Sequence, residues 1–258
     1  MSGMAIEGAV ALVTGGNRGI GEAFVIALIE TGAAKVWVGS RDAAAAAHLE
    51  AAYPGRAVAI ALDVSKPDQI AAAAASCTDV SILINNAGAY NGQTLMTAPD
   101  MDAMREEMEV NYFGVVGLCR AFAPILKANG RDGRSAIVNV LSSGGILAAP
   151  VMGGYSPSKF AARAASTNMR AELAGQGTSV SALIVGSVDT RMAAHVQGNK
   201  EKPSDIAAVG LTAIRRGQDE VDTDRMAVEV RAAMARDPKA LERAMARQLT
   251  ATTISTGR

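Results

Sequence analysis

Short apolar runs alternate along this chain with longer stretches in which apolar residues recur at helical spacing. AVALV (9–13), KVWVG (35–39), AVAIAL (57–62), VSILI (80–84), AIVNVL (136–141) and SVSALIV (179–185) are continuous in Val, Ile, Leu and Ala. Runs of this length without polar alternation read as strands covered on both faces. Helical patterns follow them: GEAFVIALIETG, an alanine-rich stretch over 43–52, SKPDQIAAAAAS, a long pattern over roughly 100–127, and one from about 154 to 174. Strand and helix in strict alternation predict an α/β fold with a doubly wound parallel sheet. Ser65 is expected to cap the third helix, with Asp68 three residues on, as in a capping box. Beyond residue 190 the pattern turns more polar, with helix starts at 200–210 and 222–230. Asp237-Pro238 suits an N-cap followed by proline at the first helical position. The last helix carries Leu241, Met245 and Leu249 on one stripe, a face for its own domain or for an oligomer contact.

Composition narrows the classes. The chain has 258 residues, 49% hydrophobic and only 3% aromatic, so its core is expected to use small aliphatic side chains on closely packed helices. Lys and Arg balance Asp and Glu at 25 each. That gives no electrostatic reason to expect nucleic acid or an anionic membrane as partner. No apolar run approaches the roughly eighteen residues that span a bilayer. The opening MSGMAIEGAV lacks the basic and apolar regions of a signal peptide. Cys77 and Cys119 sit in apolar helical segments and read as reduced core cysteines, not a disulfide or metal pair. The expectation is a soluble cytoplasmic protein without a metal site.

The first candidate chemistry lies after the first run, in TGGNRGIG (14–21). A phosphate needs backbone N–H groups that can approach it and a helix N-terminus behind them. Gly15, Gly19 and Gly21 allow that approach because they lack a Cβ; Asn17, Arg18 and Ile20 complete the loop. A nucleotide site between first strand and first helix follows. An NAD site usually places a carboxylate at the end of the second strand. Here that seat falls on Ser40, with Arg41 next. A hydroxyl and a guanidinium suit a 2′-phosphate, and Arg18 adds a second positive charge, so NADP is expected over NAD. The plainer alternative makes Arg41 a solvated loop residue and Asp42 a helix cap.

TGGNRGIG, NNAG (85–88), Ser142 and YSPSK (155–159) stand in the order and spacing of the short-chain dehydrogenase/reductase family, which the chain resembles over residues 9–192. The resemblance implies one Rossmann domain over 1–258, with a nucleotide-binding half at about 1–130 and catalytic and substrate elements at about 131–258. It implies that Asp63 and Val64 contact adenine, that Asn86, Ala87 and Gly88 line its ribose, and that Val188 and Thr190 hold the nicotinamide carboxamide. It implies Asn111, Ser142, Tyr155 and Lys159 as the catalytic set, Tyr155 and Lys159 also touching cofactor, with Ser143 a less well spaced competitor to Ser142. A homodimer or homotetramer is implied through the long helices. One departure stands out. Val185-Gly186 replaces the family's usual Pro-Gly after the sixth strand, which predicts a freer turn. The segment 191–216 looks short for a substrate lid.

The implied reaction is reversible reduction of an aldehyde or ketone to an alcohol. A tyrosine is a poor acid–base group near pH 7, its ordinary pKa being about 10. A lysine ammonium on the same helix face favours the phenolate. Ser142 would orient the substrate oxygen, and Asn111 would hold a water on a proton path to Lys159. Pro157, between Tyr155 and Lys159, predicts a helix beginning near Gly153 or Gly154, because the first helical N–H groups need no partner. His195 reads as a solvated loop residue. ILAAPVM (146–152) either lines an apolar pocket or simply packs. The alternative function is a catalytically silent NADP-binding regulatory protein on the same fold.

Overall fold

The computed structural model describes residues 3–194 and 196–255, and no side chain beyond Arg247. His195 therefore lies outside the described residues, as does the side chain of Leu249. Seven strands form one parallel sheet in the order β3-β2-β1-β4-β5-β6-β7. They are β1 (Val10–Thr14), β2 (Lys35–Ser40), β3 (Ala57–Ala61), β4 (Ile82–Asn85), β5 (Ser135–Val140), β6 (Thr178–Ile184) and β7 (Glu220–Asp222). The six expected runs are all present. The seventh strand pairs Leu183 with Val221 at the sheet edge, where a helix start had been expected nearby.

Helices α1 (Gly19–Glu30), α2 (Ala47–Ala52) and α7 (Pro203–Arg216) cover one face. Val25, Leu28, Ile206 and Ile214 pack there on Ala11, Val13, Val36 and Ile82. The other face carries α3 (Pro67–Ser76), α5 (Gly114–Ala128) and α6 (Tyr155–Leu173). Ile70, Leu118 and Phe122 pack there on Leu12, Leu83 and Ile137. Adjacent residues of one strand thus serve opposite cores, which is why the runs are continuous. The small-residue core is visible where α7 meets α1. A Cβ on Gly210 would meet the Phe24 ring at 2.5 Å, so glycine sets that helix spacing. Cys77 and Cys119 are free and buried, as expected.

Two local expectations are corrected. Ser65 does not cap α3. Lys66 occupies that position with Pro67 behind it, and the Ser65 hydroxyl donates to Asp63 Oδ1 at 2.7 Å. The long pattern over 100–127 is interrupted as well. It forms α4 (Asp102–Met108), one π-helical turn (Glu109–Phe113) and then α5. After β7 come α8 (Arg225–Arg236) and α9 (Pro238–Ser255). Asp237 caps α9 as expected, accepting from Ala240 N at 2.9 Å. No helix among the described residues is long and apolar enough to cross a membrane.

Candidate active site

The strand order reverses between β1 and β4, and crevices at such switch points receive ligands in doubly wound sheets. The glycine loop leaves β1 here and Asn86-Ala87-Gly88 leaves β4. Gly15 (φ +62°) and Gly19 (φ +58°) adopt left-handed backbone that favours glycine. A Cβ at Gly21 would collide with the Gly15 carbonyl. Asn86 braces the loop, its Nδ2 donating to Thr14 O at 2.9 Å and Gly15 O at 3.2 Å. Thr14 Oγ1 receives the backbone N–H groups of Asn86 and Ala87 at 3.0 Å each. The Asn86 side chain thus works on the loop itself. Asn17 and Ile20 are partly buried, and Arg18 is exposed at the start of α1 with no side-chain cap bond.

At the end of β2 the Ser40 hydroxyl is buried and donates to Asp42 O at 2.5 Å. Its proton is already committed, so it does not stand free for a phosphate as the sequence suggested. Arg41 is exposed. Asp42 does cap, accepting from Ala44 N at 3.0 Å. Asp63, with the buried Val64 behind it, is held below the ordinary carboxylate range. Burial pushes it up, but the bonds from Ser65 and the charges of Arg41 and Lys66 outweigh that.

Helix α6 begins at Tyr155 with Gly154 before it, and the first helical bond runs from Ser158 N to Gly154 O at 3.1 Å. Pro157 precedes that bond and forfeits none. Tyr155 and Lys159 share a face, with Lys159 Nζ 5.6 Å from the Tyr155 ring centre. The buried Lys159 ammonium donates to Val140 O at 3.1 Å. Ser142, also buried, accepts from Gly144 N at 3.0 Å and hydrogen-bonds Tyr155. The serine-tyrosine-lysine cluster is therefore assembled from the ends of β5 and α6; Ser143 instead donates its backbone N–H to Val185 O.

The electrostatics differ from expectation. Burial pushes the Tyr155 phenol up to about 12; the Ser142 bond opposes this, while Tyr90 and Glu107 add to it. Burial pulls Lys159 down to about 8. Desolvation of the site, not the lysine, dominates the phenol in the protein alone. Asn111 lies fully buried in the π-helical turn, a form that recurs at functional sites. Its Oδ1 accepts from Ala89 N at 2.9 Å, and its Nδ2 donates to Ala89 O and to Ser158 Oγ. A Cβ on Gly88 would meet Asn111 Oδ1 at 3.3 Å and Lys159 Nζ at 3.8 Å. Glycine there keeps the gap between the two groups open.

The turn at Val185-Gly186 is not loose. Val185 O accepts from Ser143 N at 2.8 Å, and Gly186 N donates to Asp224 Oδ2 at 2.7 Å. Asp224 also caps α8 through Ala227 N. Val188 beyond it is buried, and Thr190 packs against Gly19. Sequence reasoning missed Asp224, and it missed two neighbours of Tyr155. Tyr90 meets the Tyr155 ring edge-on at 5.2 Å. Glu107 is buried beside Gly154 and accepts from Asn91 N at 2.7 Å. The spacing Met104, Glu107, Asn111 put that carboxylate on the buried stripe of its helix and was the available signal.

The family model for short chain dehydrogenases matches residues 9–201. A short chain dehydrogenase from Burkholderia cenocepacia, solved in complex with NADP, is 39% identical, with a TM-score of 0.87 over 94% of this chain and 99% of that one. The 3-ketoacyl-(acyl-carrier-protein) reductase from Brucella melitensis, complexed with NADH, is 27% identical, with a TM-score of 0.79 over 86% and 99% of the two chains. The short chain dehydrogenase tazN of Aspergillus terreus is 31% identical over 193 residues, which are 72% of this chain but only 42% of that longer protein.

Proposed function

Because the chain belongs to the short-chain dehydrogenase family, we propose that it is an NADP-dependent oxidoreductase that reduces an aldehyde or ketone to an alcohol, reversibly. The convergence of Ser142, Tyr155 and Lys159 on one buried spot beside the nucleotide crevice carries this reading. The open backbone of the glycine loop and the start of α1 fit a pyrophosphate. Arg41 and Arg18, exposed at its rim, fit a 2′-phosphate. Asp63, Val64, Ala87, Gly88, Val188 and Thr190 are the further cofactor contacts in this reading. A bound nicotinamide dinucleotide supplies the hydride.

The chain's own residues manage the oxygen and the proton. The Ser142 hydroxyl orients the carbonyl by donating to its oxygen. Tyr155, fully protonated near pH 7 because burial holds it at about 12, is the proton donor in reduction. Lys159, largely ammonium at that pH, stabilises the phenolate left behind. The gap beside Gly88, between Asn111 Oδ1 and Lys159 Nζ, leaves room to return a proton from solvent. General acid catalysis of this kind contributes about 10²–10⁴-fold. A regulatory protein that only senses nucleotide has no need for an acid at this position. A homodimer or homotetramer is the proposed assembly, with exposed Phe113 at the end of the π-helical turn and Phe160 on α6 available to it.

Tyr155→Phe should abolish turnover of aldehydes and ketones, followed by NADPH absorbance, while leaving NADPH binding intact; full activity in this variant sinks the mechanism. Tight NADPH binding with no turnover in a broad panel would instead favour the regulatory reading. The wild-type protein should show a higher kcat/KM with NADPH than with NADH, and Arg41→Ala should erase most of the difference. A preference for NADH overturns the role of Arg41.

A further inference from the structure

Exposed apolar side chains gather on the segments that flank the proposed site. Five of the nine exposed large apolar side chains among the described residues stand there: Leu95, Met96, Val151, Met192 and Met226, between 37% and 88% exposed. They come from four segments, each tied to the site or to the loop and turn beside it. Gly153, two residues before Tyr155, donates to Gln93 O at 2.8 Å, and a Cβ on it would meet Leu95 N at 2.8 Å. Val151 sits in the short helical turn Pro150–Met152, and a Cβ on Gly144 would meet Met152 Sδ at 3.3 Å and Ser142 Oγ at 3.4 Å. Met192 follows Thr190, which packs on the phosphate loop at Gly19. Met226 reaches the Gly186 turn, its Cβ 2.8 Å from where a Cβ of residue 186 would lie.

Single exposed apolar residues need no explanation, but several on segments that flank one site mark a ligand surface. Charge is sparse on the segments 89–101 and 146–152, while the other two carry the exposed Arg191 and Arg225 beside Met192 and Met226. Asp100 is the charged residue of 89–101, and ILAAPVM has none. A polyol or phosphorylated carbonyl would find few partners on those two segments. Three of the five are methionines, whose unbranched, polarisable chains adapt to varied apolar shapes.

We infer that the substrate carries its carbonyl on an elongated aliphatic body that lies across Leu95, Met96, Val151, Met192 and Met226 while the carbonyl oxygen meets Ser142 and Tyr155. The inference rests on the reductase reading above and narrows it to one substrate class.

A series of 2-alkanones from butanone to 2-decanone, with the matching n-alkanals, tests it under NADPH. Each added methylene should raise kcat/KM about two- to fourfold until the surface is covered. Sugars and keto acids of similar size should be poor substrates. In the Leu95→Ser, Met96→Ser double variant the rise per methylene should flatten. Both positions are exposed, so the fold should tolerate the change, and Met192→Ser provides a second variant with the same expected flattening. A chain-length profile that is flat in the wild type, or kcat/KM higher for polyols and keto acids, overturns this inference and leaves the reductase reading standing. Full retention of the slope in both variants also overturns it. Silence with every carbonyl compound, under both NADPH and NADH, sinks the two together.

Discussion

Glu107 is a carboxylate without a part in the proposed proton transfer, yet it acts on Tyr155, the group proposed to make it. Burial pushes its pKa up, the bond from Asn91 N pulls it down, and the charge of Glu106 pushes it up again, for a net rise. A carboxyl raised on folding favours the folded state below its unfolded value of 4.5, and that contribution is lost as pH rises through the folded value. Above that window the protein holds a buried negative charge. Glu107→Gln keeps the acceptor for Asn91 N and removes the charge. Tm should therefore rise more at pH 8 than at pH 4, by about 2–4 °C for each kcal/mol relieved. The same charge is among those holding the Tyr155 phenol up, behind burial itself. In the alcohol-oxidising direction, which needs the phenolate, the limb of the pH–rate profile governed by Tyr155 should move to lower pH in Glu107→Gln. An unmoved limb and a pH-independent Tm change would show that the charge does not reach the phenol. The proposed catalytic trio was legible because Ser142 and YSPSK stand in the register of the family's motifs. Glu107 and Tyr90 were not, because they reach Tyr155 only through folding.

At the scale of elements, the start of α6 and the contact of α1 with α7 are set by residues that lack something. Pro157 lacks an N–H, and this placed the helix start correctly from sequence, since a proline is tolerated only where no partner is owed. Gly210 lacks a Cβ, and its meaning was invisible in sequence because Phe24 lies far away along the chain. A Cβ there would meet Phe24 Cε1 and Cζ at 2.5 Å and Leu183 Cδ1 at 3.1 Å. Overpacking a core costs about 1–3 kcal/mol, occasionally more. Gly210→Val should lower Tm by about 5 °C or more. Gly175→Ala provides the control, because a Cβ there meets nothing within 4 Å. It should be neutral or slightly stabilising through reduced freedom of the unfolded chain. Equal melting temperatures for Gly210→Val and wild type would remove glycine from the account of helix spacing. Asp224 belongs to this scale too. Its carboxylate ties the start of α8 to Gly186 N, doing from the side what a proline would do within the chain. Asp224→Ala should raise KM for NADPH more than it lowers kcat, read from initial rates; a change confined to kcat would separate this turn from cofactor binding.

Across the whole molecule, the sheet was readable wherever strands are apolar on both faces, and unreadable at its edge. β7 reads EVD, three residues with two carboxylates, and no hydrophobic pattern announces it. What holds it is charge drawn from three elements. Arg163 of α6 binds Glu220 through two bonds of 2.8 and 2.9 Å. Arg231 of α8 binds Glu220 at 2.8 Å and Asp222 at 2.6 and 2.8 Å. Burial pushes Glu220 up, but the bonds and charges of Arg163 and Arg231 outweigh it and leave the carboxyl below its ordinary value. A carboxyl lowered on folding stabilises the fold above its unfolded pKa of 4.5, and that contribution is lost as pH falls through the folded value. The edge strand leads straight into Thr223, whose N–H and hydroxyl both reach Ile184 O, and then into Asp224 at the Val185-Gly186 turn. Acid that releases Glu220 should thus loosen the sheet edge and the cofactor site together. Glu220→Gln should lower Tm at pH 7 and weaken NADPH binding there. The Tm difference should shrink as the pH is taken below 4.5, where the unfolded chain takes up the proton first, and the binding difference should shrink only at the lower pH where the folded carboxyl loses its charge. Thermal melts and NADPH titrations across pH 3.5–7 read the two effects side by side. A Tm difference that stays constant over that range would place the stability of β7 in its backbone pairing with β6 instead of its charges. A Tm loss without weaker binding would break the link between the edge and the turn.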